Sequence, residues 1–541
     1  MASFSQVSLL STLIGIGSHI LFKKLEPRVL SFLALVAAYF VSAFIFALSE
    51  TRNVLHSSIF ASVALNAFFA GLSGSIGVYR LSPWHPLSKY PGPILAKLTK
   101  WYMSYWVAKG NRHLKLQELH RVYGHWVRIG PNELSIDDPA AIRPLYGQMF
   151  RSRFYQGAPQ DADALITTID RTEHASRLIA WNKAFSTENL KRFQALTKIR
   201  TTQLMDVLKS ASAGNNKISL SHWISLWAID VMGDMSFSGG FETMATGKDT
   251  EGWIKVVWCS ILLGQVPWMR DIIALAPSPG PIITFQQFAG RKVEETSQRN
   301  PGMHQDILGI IVSASDQDES SGGLKLSKLQ AAADASFIVL AGSDTVSEAM
   351  VALMRYLVGD HEIQATLRAE LNVAFDGPIE DMDESTLSKL PFLNACIQEA
   401  LRIVPPVAAG PPRWNGNSGT QILDQFLPPG TSATCPVFTL HRDSRNFVDP
   451  DSFHPERWLN GGIHSPHCTE AYIPFCYGPG TCIGKPVAIF NMKWLTASII
   501  RSFEVTFPVG FDVDKFDMSY KEHNLWVHDE LVVELKSLPE A

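Results

Sequence analysis

Residues 475–484 read Phe-Cys-Tyr-Gly-Pro-Gly-Thr-Cys-Ile-Gly, and the stretch that follows, PVAIFNMKWLTASII at 486–500, is apolar with helical potential. Three glycines in ten residues (Gly478, Gly480, Gly484) permit positive φ and close backbone approach. The loop ends where Pro486 can open a helix. A turn of this kind can hold one sulfur, that of Cys482, with amide N–H groups aimed at it, as a metal-ligating thiolate needs. A single cysteine in a large chain is ordinarily a small buried hydrophobe, so the reading depends on its surroundings.

Working upstream, Phe453-His-Pro-Glu-Arg-Trp458 places Arg457 25 residues before Cys482. Before it, Glu399 and Arg402 stand at i and i+3 on a helix that Pro391 can start and Pro405-Pro406 must end, so they share one face. On an exposed helix such a pair contributes only a few tenths of a kcal/mol. Further back, Ser327 to Gln330 form a candidate capping box, and the helix continues as AAADASFIVLAGSDTVSEAMVALMRYL. Its middle is Ala341-Gly342-Ser343-Asp344-Thr345. Gly342 costs about 1 kcal/mol against alanine in a helix interior, and buried acid and hydroxyl groups add to that unless they are used. A local opening of the helix at this point would use them.

Taken in this order, the motifs resemble the cytochrome P-450 superfamily, whose proximal loop reads Phe-x-x-Gly-x-Arg-x-Cys-x-Gly. Phe475, Gly478, Cys482 and Gly484 match in register, while Gly480 stands where the family has an arginine that pairs with a haem propionate. The resemblance runs from about Pro91 to the C-terminus. It implies a mostly α (α+β) fold with a long central helix over the haem and small β-sheets. It also implies haem b as cofactor, with Cys482 the axial thiolate on iron, and Cys476 as a rival ligand that lacks the flanking glycine register. By the same resemblance, Thr345 supplies a hydrogen-bonding hydroxyl and Asp344 an entry point for protons in O₂ activation. Glu399, Arg402 and Arg457 form a buried structural network behind the haem. Arg413 in VPPVAAGPPRWN, His441 in TLHRDSRNFVDPDSFHPERW, and His174, Trp181 and Lys183 in EHASRLIAWNKAFS are the residues expected to face the propionates.

A chain of 541 residues with 46% hydrophobic residues and a net charge of −4 is globular, and it lacks the basic excess of a nucleic-acid binder. Its six cysteines (Cys259, Cys396, Cys435, Cys468, Cys476, Cys482) show no CxxC spacing and fit a reducing, cytosol-facing compartment. The N-terminal region is different in kind. Residues 29–48 carry no charge and are long enough to cross a hydrocarbon core of about 30 Å. Runs at 7–22 and 57–79 are also apolar, so residues 1–85 are expected to be a membrane anchor of three spans, and residues 86–541 the haem-binding domain. Lys23, Lys24 and Arg28 lie in one loop and Arg80 and Lys89 after the last span, which sets the large domain on the cytosolic side, as in the endoplasmic reticulum. No basic region precedes Val7, as a cleaved signal peptide would require. Pro91-Gly92-Pro93 marks a stiff break where the globular domain begins.

There is no Gly-rich dinucleotide fingerprint and no room for a flavin domain after the cysteine loop, so electrons must come from another protein. The resemblance makes that partner a membrane-bound NADPH-cytochrome P-450 reductase, with O₂ and a hydrophobic small molecule as substrates. Val407, Ala408, Ala409 and the apolar run 256–269 fall where the family lines its pocket and entrance. The polar run at 313–323 reads as a loop. The multi-span anchor, WNKAFS and Cys-Ile-Gly-Lys look similar to filamentous-fungal members that tailor terpenoids or indole alkaloids. Two other readings remain, a reductase-independent haem-thiolate isomerase or dehydratase and a non-catalytic membrane haem-binding protein. The Asp344-Thr345 pair speaks against both.

Overall fold

The three N-terminal apolar runs are helices: α1 (Phe4–Phe22), α2 (Val29–Thr51) and α3 (Val54–Leu81). All three are long and apolar enough to cross a membrane. Two begin earlier than the charge pattern suggests because polar caps extend them. Ser3 and Gln6 close a capping box on α1, and the Asn53 side chain accepts from the His56 N–H on α3. Helix α1 lies against α3 through Gly15 and Gly71. A Cβ at either glycine would collide with the backbone of the other helix, at Phe68 or Thr12. The Tyr39 hydroxyl donates to Ser11 Oγ at 2.6 Å, which ties α2 to α1.

The computed structural model describes residues 3–539 except 24, 26, 158–161, 215, 250–265, 267–268, 274, 276–279, 300–304, 318–325 and 462–466. Most of the apolar run 256–269 therefore lies outside the described residues, as does the second half of the polar run 313–323. The first half is not loop, because the helix Ile307–Gln317 carries it.

Beyond α3 the chain is tied down at once. The Arg80 carbonyl near the end of α3 accepts from Arg128 Nη1 at 3.1 Å, and the Pro91 carbonyl accepts from the Arg128 N–H at 2.7 Å. Gly92 is required there, since a Cβ would collide with the Arg128 carbonyl. Arg128 belongs to a five-stranded sheet built from β1 (Trp126–Gly130), β2 (Glu133–Ile136), β3 (Phe150–Arg151), β4 (Arg413–Trp414) and β5 (Ser432–Thr434), in the order β1-β2-β5-β4-β3. Only β2 and β5 run parallel.

The rest is mostly helical. Helices α4 (Arg171–Ala184), α5 (Thr187–Ala213), α6 (Leu220–Phe237), α7 (Lys328–Gly359), α8 (Pro391–Ile403) and α9 (Lys485–Ser502) enclose one large core. Helix α7 is also long and apolar enough to span a membrane, but Ile338, Met350, Leu353 and Leu357 are buried against Trp227 and Met235 of α6, Cys396 and Ala400 of α8, and Leu495 and Ile499 of α9. It is the central helix of the domain. The expected capping box is present, with Gln330 N–H on Ser327 Oγ and Ser327 N–H on Gln330 Oε1. The C-terminal strand Val532–Ser537 pairs antiparallel with Phe503–Thr506, which leads straight out of α9.

Candidate active site

The loop of residues 475–484 is pinned at both ends. The Cys482 N–H donates to the Phe475 carbonyl at 3.0 Å and the Thr481 N–H to that of Gly478 at 3.0 Å. Gly478 has φ +70°, and a Cβ there would press on the Tyr146 carbonyl. Cys482 is exposed, whereas Cys396 and Cys435 are buried. Desolvation pushes the Cys482 thiol up, and the backbone N–H groups of Gly484 and Lys485 pull it part of the way back. Phe475 packs on the main core with Lys485 Nζ 5.6 Å from its ring centroid. Cys476 turns away at φ +63°, and its sulfur accepts from Arg413 Nη2 at 3.5 Å.

Helix α7 passes unbroken through Ala341–Thr345, where the sequence suggested a local opening. The hydroxyls instead bond back to the helix, Ser343 to the Val339 carbonyl and Thr345 to that of Ala341, both at 2.7 Å. At Gly342 the Met232 side chain of α6 takes the room of a Cβ, which would collide with its sulfur. Burial pushes the Asp344 carboxyl up to about 7, with the Glu348 charge one turn along adding to the shift.

Glu399, Arg402 and Arg457 are brought together and fully buried. Glu399 receives Arg402 Nε on Oε2 and Nη2 on Oε1, both at 2.8 Å, Arg457 Nε at 3.0 Å, Trp458 Nε1 at 2.9 Å and the His454 N–H at 2.9 Å. Burial alone would raise the Glu399 carboxyl, but these donors hold it below the usual carboxylate range. The remaining guanidinium N–H groups bond carbonyls of His441, Pro450, Ser452, Val448 and Asp449.

The residues expected to face propionates divide. Arg413 lies at the loop, buried, with its guanidinium in the space that a side chain at Gly480 would need. His174 is buried with its ring edge-on to Phe150, and burial together with Arg151, Arg177 and Arg413 holds it neutral, with its pKa down to about 4. Trp181 and His441 are otherwise engaged. Trp181 Nε1 points at Asp334 Oδ2, 3.4 Å away, where Arg177 Nη2 also binds at 2.8 Å. His441 Nδ1 donates to the Arg402 carbonyl at 3.0 Å and Nε2 accepts from the Ile473 N–H at 3.0 Å. With both ring nitrogens bonded to backbone and a pKa pushed down to about 3 by burial, it has no proton to offer a carboxylate. It fastens α8 to the approach of the cysteine loop. Among the three candidate pocket residues, Ala408 and Ala409 are buried in the core and only Val407 is exposed. Sequence reasoning missed Arg151, which the β3–β4 pairing places directly opposite Arg413. Its only local signal was a charge at an inward position of a two-residue strand.

Residues 90–521 match the model of the cytochrome P-450 family. The chain is 32% identical over 444 residues to the cytochrome P-450 monooxygenase FCK2 of Fusarium pseudograminearum, a match covering 80% of this chain and 79% of that protein. It is 29% identical to tryprostatin B 6-hydroxylase of Aspergillus fumigatus, over 85% of this chain and 82% of the relative. With cytochrome P-450 67 of Uromyces fabae it shares 28% identity over 96% of this chain and 97% of the other, a span that takes in the N-terminal helices.

Proposed function

The chain belongs to the cytochrome P-450 family and is a monooxygenase, and from that premise we propose that it inserts one oxygen atom of O₂ into a hydrophobic fungal secondary metabolite, such as a terpenoid or an alkaloid, with electrons from an NADPH-cytochrome P-450 reductase. The observation that carries this reading is Cys482, an exposed cysteine in a glycine-rich loop held by the bonds from its own N–H to the Phe475 carbonyl and from the Thr481 N–H to that of Gly478, at the start of α9. The thiolate is the form that ligates iron, and the backbone N–H groups of Gly484 and Lys485 favour it against the desolvation that opposes it.

The residues present fit haem b. The cysteine loop stands at the start of α9, and beside it Arg413 Nε, Arg151 Nε and Arg151 Nη1 are buried N–H donors with no acceptor among the described residues, as a carboxylate-bearing cofactor would need. When bound, haem b held by the Cys482 thiolate would supply O₂ activation and oxygen insertion. The protein's part is positioning and proton supply. With its carboxyl pushed up to about 7, Asp344 both holds and releases a proton at neutral pH, and Thr345 offers a hydroxyl next to it on α7. Glu399, Arg402 and Arg457 stiffen the backbone leading into the cysteine loop. Helices α1–α3 anchor the domain to the endoplasmic reticulum membrane, with Lys23, Arg28, Arg80 and Lys89 on the cytosolic side.

The test is the reduced carbon-monoxide difference spectrum of the membrane-expressed protein. A strongly red-shifted Soret band, kept in Cys476→Ser and lost in Cys482→Ser, is expected. Its persistence in Cys482→Ser would overturn the assignment.

A further inference from the structure

Arg151 on β3 and Arg413 on β4 are directly opposed in an antiparallel pair. Like charges at such positions repel, because opposed Cβ atoms lie only about 5 Å apart. Both residues are more than nine-tenths buried, so water does not screen them. Among the described residues Arg151 Nε and Nη1 and Arg413 Nε have no acceptor, and neither arginine forms an ion pair with a carboxylate. The groups that do face them are Tyr146 and Tyr155, whose hydroxyls burial pushes up and keeps neutral, His174, which burial keeps neutral, and the Cys476 side chain, and no carboxylate is among them. Two buried cations placed face to face with idle donors form an anion site.

Position 480 explains why there are two. A Cβ there would collide with Arg413 Nη2, so the Arg413 guanidinium fills the room that a side chain from the loop would take. Gly480 has no positive φ, and the atom in the way is the end of a flexible side chain, so the glycine serves the arginine and not the turn.

We propose that Arg151 and Arg413 form a clamp for a haem propionate, Arg151 supplying the second cation and Arg413 occupying the place of the side chain that Gly480 lacks. The inference rests on the haem reading above. Esterified or neutral porphyrin edges have nothing to offer such a clamp, whereas a carboxylate meets a guanidinium from each strand, and bonds of this charge-assisted kind are the strong ones.

The experiment is haem release from purified holoprotein to excess apomyoglobin, followed in the Soret region, for wild type, Arg151→Met, Arg151→Gln and Arg151→Lys. Loss of the charge-assisted bonds is expected to speed release about 10-fold or more in Arg151→Met and Arg151→Gln, while Arg151→Lys stays near wild type. Should Arg151→Met fail to accumulate as folded protein, Arg151→Gln, which keeps a polar side chain, decides alone. Release at the wild-type rate in either uncharged variant overturns the clamp, as does equally fast release from Arg151→Lys, which would mark a packing role. A wild-type protein that takes up no thiolate-bound haem would instead overturn the functional reading itself.

Discussion

Arg177 of α4 and Asp334 of α7 form an ion pair at 2.8 Å in which neither side chain is exposed. Asp334 also takes the Leu165 N–H at 2.6 Å, and Arg177 reaches the Asp163 carbonyl and Thr168 hydroxyl. The pair fixes the helix carrying His174 and Trp181 against the central helix. Removing one partner leaves a buried charge, so Arg177→Met and Asp334→Leu are each expected to cost about 3–5 kcal/mol. The double variant should cost less than the sum, and chemical denaturation of all three checks it. Strict additivity would mean that the two charges do not interact.

The buried Glu399 carboxylate contributes through its charge, which Arg402 and Arg457 hold in place. Its pKa is depressed on folding, so this contribution is present above the unfolded carboxylate range and is lost as pH falls through the folded value. Glu399→Gln is expected to be less stable than wild type by about 3 kcal/mol at neutral pH, with the gap narrowing in acid. Thermal melts across pH 3 to 8 measure it, and a gap independent of pH would refute the charge-based account.

Asp344 carries the opposite sign. Burial raises its carboxyl to about 7, so folding is penalised as pH rises from the ordinary carboxylate range through 7, and Asp344→Asn should gain stability over wild type at pH 8 but not at pH 4. If Asp344 supplies protons as proposed, the same substitution removes that donor from α7 and product formation should fall by about 100-fold. A variant that is both more stable at pH 8 and slower in turnover matches both effects; unchanged turnover removes Asp344 from the mechanism.

Gly480→Ala should act by moving Arg413. Haem release is expected to quicken in Gly480→Ala and in Arg413→Met, and the double variant should release haem no faster than Arg413→Met. Multiplied effects would show that Gly480 serves the loop independently of the arginine.

Three spans predict that an acceptor-bearing insert between Arg52 and Asn53 is N-glycosylated in microsomes, because with the large domain on the cytosolic side the turn between α2 and α3 would face the lumen. One span would leave it unmodified. The mobility shift on gels, reversed by a glycosidase, reads the outcome.

What could be read from the chain alone is what local periodicity encodes. The cysteine loop, the capping box at Ser327, the shared face of Glu399 and Arg402 and the N-terminal helices depend on residues a few positions apart. What escaped depends on partners brought from elsewhere. Arg151 looks like any charge until an antiparallel pairing sets it against Arg413. His441 has a plausible position for a propionate donor, yet the Arg402 carbonyl and the Ile473 N–H claim its two nitrogens. Trp181 lies on the expected helix, but Asp334, far along the chain, decides where its N–H points. Thr345 could open its helix, and a back-bond to Ala341 keeps it closed.

The junction at Arg128 has a mechanical consequence. Its guanidinium and N–H hold the carbonyls of Arg80 and Pro91, and Arg80 Nη1 reaches the Leu98 carbonyl at 2.5 Å, so the last N-terminal helix and the first strand turn as one body. The catalytic body is not a balloon on a string but the head of a bolt, keyed to one angle. Adding a single residue within α3 would rotate everything past it by about 100° relative to the lipid. Whatever face the domain turns to a bilayer spanned by α3 would then be turned away from it.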